Sequence, residues 1–377
     1  MNKPTDNIGW IDLLRVLACF LVVTAHACDP FVAQFDNNRF EFLSGAFWGS
    51  ALRPCVPLFV MMSGVLLLPV KMDMTTFYSK RMKRIVIPLI FWSLISPLLY
   101  FFYLNFGGET SSPNIVMSDH SLSSTLTKLG TFVFNFSYTT IPLWYLYMLV
   151  GLYLFMPVIN PWLIQATKKE LKVFLGIWIF SMCIPYLQLA APNLGYTGNY
   201  GNMGLFGVCD WNPYGTFYYF SGFLGYLVLA YYLQRFPLDW GWTKRLYVSV
   251  PLYITGYIIT SAGFLITQKY FPGNYAALEI VWYFSGINVF MMTLAIYLLI
   301  SNIKMKTTPL LRRLAILSFG IYLCHFILVQ IGYDLLHPFS VIPAYLQIPL
   351  IAVFAFTLSA LVISVLSKIP LLKRFVL

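Results

Sequence analysis

Residues 15–26 read RVLACFLVVTAH. An arginine opens the run, a histidine closes it, and ten apolar or near-apolar residues lie between. Apolar character continues upstream through Ile8–Leu14, so the whole segment, 8–28, reaches the roughly 20 residues a membrane-spanning helix needs. On a helix, residues eleven apart differ by only about 20° in direction, so Arg15 and His26 project from one face, about 16 Å apart along the axis. Asp12 stands three residues before Arg15, and Asp29 three after His26. Each carboxylate can reach its basic neighbour on that same face. A spanning helix that carries two ion-pair candidates on one stripe predicts a polar interior inside a membrane protein.

The composition agrees. Of 377 residues, 59% are hydrophobic and only 10% charged, with a mean hydropathy of +0.75. A soluble globular chain is about a quarter charged, so a soluble fold is excluded. The expectation is an all-α polytopic membrane protein, with spans at roughly 8–28, 45–69, 85–106, 141–161, 172–191, 215–234, 246–267, 279–300, 313–333 and 342–365. No low-complexity tract, long linker or internal repeat interrupts them. Residues 1–377 therefore read as a single membrane domain of about ten helices.

Charge sets the orientation. With the N-terminus in the cytoplasm, the inner loops hold nineteen of the 24 Lys and Arg residues, and the outer loops hold Arg39, Lys128 and Lys269. Arg15 and Arg53 remain inside apolar runs. That imbalance is the positive-inside signature, and it places both termini in the cytoplasm. It also gives the net charge of +11 a topological meaning, not that of a nucleic-acid surface. A rival reading treats Ala25-His26-Ala27 as a signal-peptide cleavage site. Asp12 in the would-be basic region and the apolar Ile8–Leu14 argue against it.

The six cysteines show no C-x-x-C spacing and fall mostly in apolar runs, so neither a disulfide framework nor a metal site is expected. Cys28 and Cys209 read as loop-exposed. Among the outer loops, 107–140 is rich in Ser, Thr and Asn, and 192–214 in Gly, Asn and aromatics. That texture suits either an interfacial aromatic belt or contact with a sugar.

Ionisable groups inside spans are functional candidates by default. By depth, His26, Arg53, His325 and Glu279 fall in the outer half. Two histidines and an arginine at similar depth on three helices predict a shared polar cavity. Arg15 also has a plainer reading, snorkelling to the inner headgroups. On the cytoplasmic side, YSKRMKRIVIPLIFW (78–92) places Arg81 and Arg84 on one helix face, a pair suited to a phosphate and equally explained by positive-inside charge.

Taken together these motifs resemble acyltransferase family 3, a family of bacterial integral-membrane acyltransferases. The resemblance rests on Arg15 and His26 at R-x10-H, the Arg81/Arg84 pair, Ser63-Gly64 in VPLFVMMSGVLLL, Trp144-Tyr145 in PLWYLYMLVGLYLFMP, and His325 in SFGIYLCHF. It covers most of the chain, which resembles the stand-alone membrane form that includes O-acetyltransferases of surface polysaccharides such as enterobacterial common antigen. It implies transfer of an acyl group, usually acetyl, from cytoplasmic acetyl-CoA to a hydroxyl of an extracytoplasmic glycan or lipid-linked saccharide, with no metal. The location implied is the bacterial inner membrane, among membrane lipid.

Under that reading Arg15, Arg81, Lys83 and Arg84 bind the cofactor phosphates. His26 is the general base and Asp29 orients it. Arg53, Tyr145 and His325 are candidate donors to the developing oxyanion. Two rival functions stay open: a proton-coupled transporter built on the same intramembrane charges, and a flippase for a glycan lipid. Neither matched half-repeats nor matched helix breaks are visible in support of a transporter.

Overall fold

The structure, a computed structural model, describes residues 9–196, 198, 204–209, 211–273 and 275–377, the side chains of 275–277 and 279 excepted. In chain order the helices are α1 (Gly9–Val32), α2 (Arg39–Leu52), α3 (Cys55–Leu67), α4 (Met74–Phe102), α5 (Leu122–Gly130), α6 (Trp144–Gln165), α7 (Lys168–Ser181), α8 (Ile184–Ala190), α9 (Leu224–Arg235), α10 (Trp242–Tyr270), α11 (Tyr275–Trp282), α12 (Ile287–Ile300), α13 (Pro309–Leu336), α14 (Ala344–Leu366) and α15 (Pro370–Val376). No strand occurs among the described residues. Nine helical stretches there are long and apolar enough to cross a membrane: 9–32, 39–67, 74–107, 138–165, 168–194, 242–270, 280–300, 309–336 and 344–366. The protein is an all-α polytopic membrane protein.

Two predicted spans are built differently from the expectation. The second is broken into α2 and α3 at Arg53-Pro54. Proline has no N–H to give the preceding turn, and Arg53 folds its guanidinium back so that Nε donates to the Gly49 carbonyl at 3.0 Å. The sixth, 215–234, is not one long helix. A 3-10 segment, Gly215–Phe220, leads to a bend at Gly222, whose φ of +76° suits a residue without a Cβ. α9 then supplies 12 residues, about 18 Å of rise and too short to cross alone.

The described residues group into two compact units. The first holds residues up to 55, 74–154 and 303–377. Here α1 packs against α2, α13 and α14, and α13 and α14 pack on each other. α4 is fixed to the end of the chain, where Trp92 Nε1 donates to the Phe375 carbonyl at 3.0 Å and the Phe91 and Phe375 rings stack. The outer loop after α4 docks through Asp334 on α13, which accepts from Tyr103 Oη at 2.9 Å and from Thr110 Oγ1 at 2.7 Å.

The second unit holds residues 56–73 and 155–302. Within it α10 packs against α11 and α12, and α7 against α9. Gly64 of the Ser-Gly motif lies so close to α9 that a Cβ there would meet the Leu227 carbonyl oxygen at 2.8 Å. Arg235 and Arg245, expected from charge on the cytoplasmic side, also hold helix ends. Arg235 donates to the Leu163 and Ala166 carbonyls at the end of α6, and Arg245 to Leu298 near the end of α12. Both satisfy helix-terminal carbonyls that lack intrahelical partners.

Candidate functional site

The first unit carries nearly all of the residues singled out above. α1 remains helical through Val32, so Asp29 sits one turn after His26, as the spacing requires. His26 Nδ1 and Asp29 Oδ2 are 2.8 Å apart. An Asp carboxylate accepts, so Nδ1 carries the hydrogen and Nε2 presents a lone pair. The pair is part-buried, the His26 side chain 18% exposed and that of Asp29 36%.

α13 brings the second histidine to the first. The His26 and His325 ring centroids are 5.3 Å apart, tilted by 39°. His325 is wholly buried, and its Nδ1 lies 2.6 Å from the Tyr322 carbonyl one turn back. That carbonyl fixes the hydrogen on Nδ1 in the neutral ring. Nε2 is then an acceptor, and it has no hydrogen-bond partner among the described residues.

Aromatic side chains wall the two imidazoles. Phe326 packs edge-on against His26 at 5.1 Å and touches Tyr138 at the same separation. Tyr322 lies between His325, at 5.8 Å, and Tyr145, at 5.5 Å. Its hydroxyl donates to the Pro142 carbonyl. Tyr145 is thus connected to the histidines through Tyr322. Tyr100 and Tyr138 stand within electrostatic reach of Asp29. Arg53 lies within reach of the Cys28 thiol, one residue before Asp29.

At the other end of α1, Arg15 is close enough to Asp12, Arg84 and Tyr153 to interact with all three. Asp12 is buried and accepts from Thr307 Oγ1 at 3.1 Å. α4 thus places Arg84 within electrostatic reach of Arg15. Arg81 is half-buried, and its Nε is a buried atom with no partner among the described residues. Lys83 is exposed on the same turn.

Some expectations are corrected. Cys28 is not a loop residue: it is buried on α1, and its thiol donates to the Thr24 carbonyl. Glu279 belongs to α11; its side chain falls outside the described residues, as do 197, 199–203 and 210 of the 192–214 loop. Residues not foreseen as part of the site are Tyr100, Tyr138, Tyr322 and Phe326. Tyr322 and Phe326 flank His325 in its motif and could have been found there. Tyr100 and Tyr138 arrive from α4 and from the turn before α6, and no spacing in the sequence links them to α1.

Outside the spans, His120 of the outer loop is buried and stacked on Tyr100 at 5.7 Å. Burial, aided by the Lys128 charge and opposed by Asp119, lowers its pKa to about 4.

Comparison with curated proteins and with solved structures finds no match. The family model described as an acyltransferase domain matches residues 8–368, nearly the whole chain and all of the groups just placed. By that match the chain belongs to acyltransferase family 3 and is a membrane acyltransferase.

Proposed function

We propose that this acyltransferase moves an acyl group, acetyl in the simplest case, from cytoplasmic acyl-CoA to a hydroxyl of an extracytoplasmic glycan or lipid-linked saccharide, with His26 as general base. The observation that carries the reading is the Asp29-oriented His26, set on the same helix as Arg15, which Arg84 of α4 approaches.

The chemistry follows from the atoms. A hydroxyl is a poor nucleophile at neutral pH, and an imidazole is suited to accept its proton. His26 offers a lone pair at Nε2, because Asp29 holds the hydrogen at Nδ1. As the hydroxyl oxygen attacks the thioester carbon, its proton passes to Nε2. Asp29 stabilises the resulting imidazolium, as the acid of a catalytic triad does. The C–S bond then breaks with its electron pair on sulfur, and His26 returns the proton to give the free thiol. The thioester oxygen needs donors while it carries charge. In its neutral form His325 has given its hydrogen to Tyr322, which leaves that role to Arg53 and Tyr145.

Guanidinium groups bind phosphate through paired N–H donors. Arg15, Arg81 and Arg84, with Lys83 at the rim, would hold the anionic end of acyl-CoA at the inner mouth. The thin arm would then run along α1 towards His26, over the roughly 16 Å that separate the two ends of the motif. No metal is needed in this scheme. The site lies in the bacterial cytoplasmic membrane, with the acceptor outside.

The test is incubation of purified protein with labelled acetyl-CoA and a glycan extract. Labelled acceptor is expected with wild type and lost with His26→Ala. Undiminished labelling in His26→Ala would remove the general-base role. Substrate uptake or lipid flipping without labelling would remove the transferase reading of substrates and side.

A further inference from the structure

The site holds a second imidazole whose free nitrogen the scheme above does not use. His325 is fully buried, Nδ1 is committed to the Tyr322 carbonyl, and Nε2 has no partner among the described residues. Buried polar atoms normally have a partner. The His26 ring lies 5.3 Å away between centroids, with its own Nδ1 committed to Asp29. At rest, then, two imidazoles share one space and each offers a lone pair, so neither can donate to the other. A single added proton changes that. The two rings are not hydrogen-bonded as they stand; with centroids at this separation, turning the rings until the nitrogens face along the centroid line leaves about 3.0 Å between them, one hydrogen bond. A second proton would place two like charges side by side.

We propose that His325 is a positioning residue of the acyl-transfer site, whose Nε2 accepts a hydrogen bond from the imidazolium that His26 becomes. The proton removed from the acceptor hydroxyl is thereby held between the two rings until the thiolate leaves. No atom beyond those of the transfer is required: the proton goes from hydroxyl oxygen to His26, rests in the N–H···N bond, and ends on sulfur. The acyl-transfer reading supplies only the source of the proton. The pairing of the rings stands apart from it.

Other charged and titratable groups surround the pair. Asp29 lies on α1, Arg53 beside α1 near Cys28, and Tyr100 and Tyr138 within reach of Asp29. Tyr322 and Cys324 flank His325 on α13, with Cys19 facing them from α1 and Tyr145 beyond Tyr322. α14 carries no acid or base, only Tyr345 among titratable groups. Asp29, hydrogen-bonded to His26, supplies the negative charge that stabilises the imidazolium formed during transfer.

The experiment uses the full chain in nanodiscs with ring-15N histidine, titrated in wild type, His325→Gln and His26→Gln, the variants serving to assign the signals. Glutamine can accept a hydrogen bond but takes no proton. In wild type the pair should bind one proton in a first step and a second only at distinctly lower pH. With His325→Gln, His26 should titrate in one step at a shifted midpoint. An unchanged His26 titration in that variant overturns the proposal, as do two independent steps in wild type.

In transfer assays His325→Gln should lower kcat at least tenfold, leave the KM for acetyl-CoA within about twofold and move the acid limb of kcat/KM. Unchanged kcat and pH profile count against the pair. Should the variant fail to fold, the wild-type proton inventory decides: a bowed dependence on deuterium fraction is expected, and a straight line overturns the idea. A wild type inactive with acetyl-CoA would sink the donor assignment, while the titration still judged the two rings.

Discussion

At the scale of single residues, the hydrogen bond between His26 and Asp29 does the orienting. Asp29→Asn keeps an acceptor oxygen and removes the charge. A hydrogen bond to a charged group is worth about 1.5–3 kcal/mol, so kcat should fall by about 10- to 100-fold, less than in His26→Ala. Equal and total loss in both variants would show that Asp29 does more than orient. Arg15→Ala and Arg81→Ala should raise the apparent KM for acetyl-CoA while leaving the melting temperature near wild type. A fall in kcat at unchanged KM would break the assignment of these arginines to phosphate.

His120 gives a pH prediction outside the membrane. Its pKa falls from the ordinary 6.5 to about 4 in the fold. Between those values the unfolded loop binds a proton that the folded loop does not, so folding of the loop weakens as pH drops from about 6.5 to about 4. Protection factors of the amides of residues 117–130, taken against the intrinsic exchange rate at each pH, should fall across that window, and His120→Phe should flatten the dependence. Protection factors that stay level with pH in wild type would contradict the buried, neutral state.

At the scale of elements, helix breaks are where prediction from hydropathy and the structure part company. A hydropathy window averages over Pro54 and Gly222, whereas a helix cannot. The Arg53-Pro54 break leaves Arg53 at the junction of α2 and α3, so the arginine expected to share a polar cavity with the two histidines is also a helix-end group. Gly64 shows the opposite case. The Ser63-Gly64 motif was legible in the sequence, but its reason was not: the Leu227 carbonyl takes the space a Cβ would occupy. Overpacking of this kind typically costs about 1–3 kcal/mol. Gly64→Ala should therefore lower the melting temperature in nanodiscs by several degrees without changing the KM for acetyl-CoA. A melting point equal to wild type would mean that α3 and α9 are not held this close.

At the scale of the whole molecule, the distribution of Lys and Arg predicts which end of each helix is cytoplasmic. Cysteine labelling in a background without native cysteines checks it. Lys83→Cys and Lys304→Cys should react with an impermeant reagent only from the cytoplasmic side, and Ser123→Cys and Pro272→Cys only from outside. The last pair also tests the broken sixth segment. If residues 215–235 do not carry the chain across, position 272 will label from the wrong side.

The sequence by itself determined that the chain is a membrane bundle and that Arg15, His26 and Asp29 share a face, because hydropathy and periodicity are local properties. It also exposed the family motifs one by one. Only the tertiary structure decided that His325 belongs beside His26, that Tyr322, Phe326, Tyr138 and Tyr100 wall the pair, and that Arg84 reaches Arg15. Those contacts join positions far apart in the chain, and no regular spacing encodes which helices become neighbours. The tautomers are more local, since each Nδ1 meets an oxygen one turn away on its own helix, the Asp29 carboxylate on α1 and the Tyr322 carbonyl on α13.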